Sequence, residues 1–121
     1  FTEVALSDAA AYLALPRQWG LTRSSGSVGG GHAGYKVYAC KDGRVAVAAL
    51  EPHFGAALCL AAGLSAPGRM AMFEPETHQR IARFMRRHTC AELGQLAIDK
   101  DIPLHAMPDD GALGDSTRCN T

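Results

Sequence analysis

Residues 35–50 read YKVYACKDGRVAVAAL, and the fold class turns on them. YKVYAC and VAVAAL are short runs of aromatic, β-branched and small apolar residues, the composition of strands. Between them KDGR carries Asp42-Gly43, a residue pair favoured in tight hairpin turns. The expectation is two antiparallel strands around an Asp42-Gly43 turn.

On the C-terminal side the pattern changes period. Pro52 follows Glu51 and suits a first helical position, and Phe54, Ala57, Leu58 and Ala61 then recur at helical spacing up to Gly63. SAPGRM, residues 65–70, is a connector. Pro75 opens another helix, with Ile81, Phe84, Met85 and His88 on one face and Arg80, Arg83 and Arg87 on the other. TCAE, residues 89–92, matches a capping box, so a further helix starts there with Leu93, Leu96 and Ala97 inward. DIPLHAM, residues 101–107, reads as a short last strand, and residues 109–121 as a loosely held polar tail.

On the N-terminal side, EVALSDAAAYLAL (residues 3–15) has Leu6, Ala9, Ala10 and Leu13 at helical spacing, until Pro16 ends or kinks the helix. Residues 22–34, TRSSGSVGGGHAG, offer neither periodicity nor bulk and form a loop. The predicted class is α+β: a small antiparallel sheet, made of the hairpin plus a short C-terminal strand, packed with three to four helices.

The chain has 121 residues, and its twelve basic residues balance its twelve acidic ones. No net field draws it to nucleic acid or to an anionic membrane, and no apolar run approaches the roughly 20 residues of a membrane span. The start at Phe1 without a leader pattern is expected of an excised piece and not of a secreted precursor. Cys40, Cys59, Cys90 and Cys119 are isolated in sequence, so free thiols in a reducing cytoplasm are expected. His88-Thr89-Cys90 is the nearest approach to ligand spacing, and its second half is the helix cap, so no metal site is expected.

Two features invite a functional reading. Gly29, Gly30 and Gly31 could converge backbone N–H groups on an anion, since no Cβ blocks the approach. They could equally be a linker between helix and hairpin. Glu51, where strand gives way to helix, could serve as an N-terminal helix charge or could orient a catalytic imidazole. His32 and His53 border these features. The arginine stripe suits either a phosphorylated ligand or a solvated helix face.

A glycine triplet followed by Y-x-x-x-D-G-x-V-A-V-x-x-L-E-P-x-F, here running from Tyr38 to Phe54, resembles the family III CoA-transferases, also called the CaiB/BaiF family, which includes α-methylacyl-CoA racemases. VALSDAAAYLAL (residues 4–15) and DIPLHAM fall in the matching order, and the resemblance spans residues 3–108. It implies the small domain of a longer enzyme: residues 1–21 an exit helix from an absent large domain, residues 22–108 the small domain, residues 109–121 the tail. The implied reaction moves CoA between an acyl-CoA donor and a small carboxylic acid through an aspartyl intermediate, whose aspartate is not among these residues. The resemblance further implies that Gly29, Gly30, Gly31 and His32 form a loop closing over that aspartate, and that Glu51 orients a histidine of the absent domain. Coenzyme A would be bound mainly by that domain, in a cytoplasmic homodimer, and the piece alone would be inactive. Two other outcomes stay open: an acyl-CoA racemase, or a non-catalytic binding or assembly module. The module would bury the apolar face of residues 3–21 within its own chain, whereas the excised piece would expose Leu6, Leu13 or Trp19.

Overall fold

The hairpin forms with a register that moves its turn by one residue. In the computed structural model, which describes residues 1–68 and 70–109, β1 (Tyr35–Cys40) pairs antiparallel with β2 (Gly43–Ala48), and Cys40 faces Gly43. The two turn residues are therefore Lys41 and Asp42, not Asp42 and Gly43. Gly43 is required for a different reason than turn geometry. A Cβ there would lie 2.5 Å from the Met107 carbonyl oxygen and 2.8 Å from the Pro108 Cα, so glycine is what lets the third strand run alongside.

That strand, β3 (Leu104–Pro108), pairs antiparallel with β2, giving the order β1-β2-β3 with β2 central. Strand alternation then sorts the residues onto two faces. Tyr38, Val45 and Ala106 stand in one row across the core face, with Val45 fully buried. Val37, Ala46 and His105 stand in the row beside it on the opposite, uncovered face.

Among the described residues five α-helices accompany the sheet: α1 (Leu6–Leu13), α2 (Leu15–Gln18), α3 (Pro52–Ala61), α4 (Pro75–Arg86) and α5 (Cys90–Lys100). α4 packs on β1, and α5 packs on β3 and β2. Leu58 and Cys59 of α3, Ile81 and Met85 of α4, and Leu93 of α5 join Val45, Val47 and Tyr38 in one core. The helical stripes read from the sequence supply Leu58, Ile81, Met85 and Leu93. Thr89 and Glu92 complete the expected capping box: the Glu92 N–H donates to Thr89 Oγ1 at 3.2 Å, and the Thr89 N–H donates to Glu92 Oε2 at 2.8 Å.

Two boundaries differ from the sequence reading. Asp101 is not the start of the last strand but the left-handed end of α5, at φ 52°, a conformation that aspartate tolerates better than most residues. Helix α1 ends at Leu13, and Pro16 lies in the first turn of the separate helix α2. No residue of α1 or α2 is buried, and Leu6, Leu13 and Trp19 are all strongly exposed. Of the expected tail, residues 110–121 lie outside the described residues. No helix among the described residues is long and apolar enough to cross a membrane.

Candidate functional site

The glycine triplet is a folded turn, with a separate requirement at each position. Residues Ser27–Gly29 form a single 3-10 turn, and Gly30 ends it at φ +100°, in the region that side chains avoid. A Cβ on Gly29 would lie 2.0 Å from the Arg23 carbonyl oxygen, and one on Gly31 would lie 2.0 Å from that of Ser25. Gly29 and Gly31 thus let the loop double back on residues 23–26, and both donate their N–H to the Gly26 carbonyl, at 3.0 and 3.1 Å. Two of the three amides are therefore directed inward, while Gly30 stands at the crest with open space around its Cβ position.

The C-terminal part of the loop is clamped to the core. A carbonyl only accepts, so the 2.8 Å contact between His78 Nε2 and the Gly31 oxygen has the ring donating. Tyr38 donates its hydroxyl to the Ala33 carbonyl at 2.7 Å. Backbone bonds from Ala33 to the Met72 carbonyl, at 2.7 Å, and from Ala49 to the Gly34 carbonyl, at 2.6 Å, complete the hold. A clamped base thereby carries a crest that is exposed at Gly29 and half-buried at Gly30.

His32 lies in that base, buried, with its ring edge-on to Phe73 at 5.3 Å. Its Nδ1 accepts the Gly34 N–H at 3.0 Å, so the proton of the neutral ring sits on Nε2. Burial, with a smaller effect of the nearby His78, pushes its pKa down.

Glu51 is exposed at the N-cap of α3, and its side chain makes no capping hydrogen bond. Its main chain does the structural work, the carbonyl accepting from Gly55 at 2.9 Å. The carboxylate is left beside a cavity of about 90 Å³ that His32, Leu50, Pro52 and Met72 also line. His53 does not join them there; its ring stacks at a tilt on Phe54, 3.9 Å between centroids.

A wider groove, of about 750 Å³, lies between the glycine crest and the uncovered sheet face, lined by Gly29, Gly30, Tyr35, Val37, Ala46 and His105 among others. Alanines and valines leave it shallow and apolar, with Lys36 and His105 as its basic side chains. The structure thus brings His32 and Glu51 to one cavity, and Gly29 and Gly30 to another. Arg80, Arg83 and Arg87 all border a third hollow, beside Gly63 and Phe84, with Arg80 also 3.5 Å from Glu76 across exposed helix surface.

Sequence reasoning missed His78 and His105. His78 sits one turn before Ile81 on the apolar stripe of α4, which is the signal that could have marked it as inward-facing. His105 is marked only by alternation along β3, which places it opposite Leu104 and Ala106. Also missed was the meeting of Cys40, Asp42 and Cys90, whose donor atoms all lie within 4.8 Å of one another. Their separation along the chain carries no ligand pattern.

Comparison with known families matches residues 3–115 to the family described as CoA-transferase family III. A search of curated proteins finds no match.

Proposed function

The chain belongs to CoA-transferase family III, and on that premise we propose that it is the covering half of a CoA-transferase active site, of the CaiB/BaiF type. The complete enzyme moves CoA from an acyl-CoA donor to a small carboxylate acceptor. A catalytic aspartate outside these residues attacks the thioester carbonyl and expels CoA thiolate, leaving an acyl-aspartyl anhydride. The thiolate attacks the aspartyl carbonyl, releases the first acid and leaves an aspartyl-CoA thioester, from which the acceptor carboxylate finally takes CoA by the reverse sequence.

Both covalent intermediates are lost if water reaches them, so the chemistry needs a lid. The observation that carries the reading is the crest at Gly29 and Gly30, held on a clamped base above an open apolar groove. A lid must be firm at its root and free of side chains at its tip, and this loop is both. Gly31 and His32 belong to the root. With Gly29 and Gly31 bonded to Gly26, any backbone donation to an oxyanion falls to Gly30. The exposed apolar residues of α1 and α2 support a role for residues 1–21 as the way out of a second body, and in a homodimer they would be covered.

Glu51 supports a second reading. Its carboxylate, free of capping duty and sharing a cavity with His32, suits orientation of an imidazole for proton transfer next to a thioester, as in a racemase. Incubating the complete enzyme with an acyl-CoA and an unlabelled acid in deuterated water separates the two. Exchange of CoA between acids supports transfer; deuterium at the α-carbon without exchange overturns it in favour of racemisation.

A further inference from the structure

At the far end of β1 from the glycine loop, the last residue of the strand meets the first residue of α5. Cys40 Sγ and Cys90 Sγ are 3.3 Å apart, although 50 positions separate them in sequence. Asp42 holds them in register: its Oδ1 accepts the Cys90 backbone N–H at 2.6 Å and lies 3.7 Å from Cys40 Sγ. The hairpin turn is therefore hooked onto the capped start of α5, so both sulfurs sit on firm elements. Cys40 is half-buried and the more accessible of the two, whereas Cys90 is buried. Cys59, buried in the core with its Sγ 3.6 Å from Met72 Sδ, has no such neighbour among the described residues.

We propose that Cys40 and Cys90 are a reversible thiol–disulfide exchange site, with Cys40 as the entry sulfur and Cys90 as the resolving one, and a low-molecular-weight disulfide as oxidant. A disulfide is about 2.05 Å long, so from 3.3 Å the sulfurs need close by only roughly 1 Å. The Cys40 thiolate attacks one sulfur of the small disulfide, whose S–S bond breaks and releases a first thiol, protonated from water. Cys90 then surrenders its proton to solvent and attacks Cys40 Sγ, and the mixed S–S bond breaks to release a second thiol. Two protein thiols and one small disulfide become one protein disulfide and two small thiols, with two electrons passing to the reagent.

The second step is restrained. Burial, then the neighbouring Cys40 and the Asp42 carboxylate, push the Cys90 thiol up to about 12, so Asp42 both positions the pair and slows its closure. The site lies about 17 Å along β1 from the glycine loop, at the strand rise of about 3.3 Å per residue. The proposal does not rest on the lid reading and can fail without it.

The test uses the reduced full chain, oxidised glutathione as the probe, and intact mass with peptide mapping. The expected product has lost two hydrogens, carries no glutathione, yields a peptide linking Cys40 to Cys90, and melts at a higher temperature than the reduced protein. Cys90→Ser should accumulate glutathione on Cys40, and Cys40→Ser should yield no linked peptide. Asp42→Asn, which keeps an acceptor for the Cys90 N–H and retains both cysteines, should give the same linkage severalfold faster. That variant keeps the test decisive even where a cysteine variant fails to fold. Glutathione retained on the wild-type protein, or linkage to Cys59 or Cys119, would overturn the assignment. So would uptake of zinc by the reduced protein through both cysteines, with no linked peptide on oxidation.

Discussion

His78 on α4 donates its Nε2–H to the carbonyl of Gly31 at 2.8 Å, across 47 positions of sequence. That bond ties the root of the glycine loop to a helix whose next residues along the same stripe, Ile81 and Met85, are fully buried. Loop position is thereby coupled to core packing. His78→Ala should cost about 1 kcal/mol, the net worth of a typical hydrogen bond, and should speed amide exchange at Ala33. A shift in global stability with unchanged exchange at Ala33 would count against the clamp.

The glycines should separate by mechanism. Gly30→Ala meets no atom within 4 Å but holds φ +100°, so its cost is conformational, about 1–2 kcal/mol. Gly29→Ala places a Cβ 2.0 Å from the Arg23 carbonyl oxygen, so backbone must move and the loss should be larger. Urea titration gives the ranking. In the complete enzyme, Gly30→Ala should nonetheless reduce turnover out of proportion to its effect on stability, because it alters the crest and not the root.

Stability should depend on pH through His32. Its folded pKa lies below the ordinary 6.5, from burial first and His78 second. Between those two values the unfolded chain binds a proton that the folded chain refuses, so stability rises with pH. The contribution is complete above 6.5, is lost as pH falls below it, and levels off beneath the folded value. Asp42 and Glu92, held down chiefly by the backbone N–H groups of Cys90 and Thr89, act only below their ordinary 3.8 and 4.5. Urea midpoints on both sides of 6.5 should fall toward acid for the wild type and flatten in His32→Gln. An equal slope in the variant would remove His32 from the account.

Helix α5 and the core offer two calibrations. Thr89→Ala removes the acceptor for the Glu92 N–H and should cost about 0.5–2 kcal/mol. Leu58→Ala empties a fully buried site and should cost about 2–5 kcal/mol, depending on how far the surroundings collapse. Thermal melts of both variants check the order.

Most of the architecture was legible along the chain because it is written in local terms. Runs of strand-forming composition around a turn signal marked β1 and β2, Pro52 and Pro75 marked helix starts, and Thr89 with Glu92 marked a cap that forms as read. The turn was legible in place but not in register: Asp42-Gly43 is a genuine turn signal, yet Gly43 pairs within β2 because β3 presses against it. That pressure comes from residues 107 and 108, which no local window contains. The candidate site was legible as residue types only. Gly29, Gly30, Gly31, His32 and Glu51 could be named, but not that two of the amides turn inward, or that His32 and Glu51 share a cavity apart from the glycine crest.

The sequence by itself determined which segments are helix and strand, which faces are apolar, and the family to which the chain belongs, since all of these reside in short-range order. Only the tertiary structure decided which side of the sheet stays uncovered, that His78 holds Gly31, and that Cys40 and Cys90 meet at Asp42. Those are contacts between residues tens of positions apart, and they exist only once burial of the core has brought the elements together.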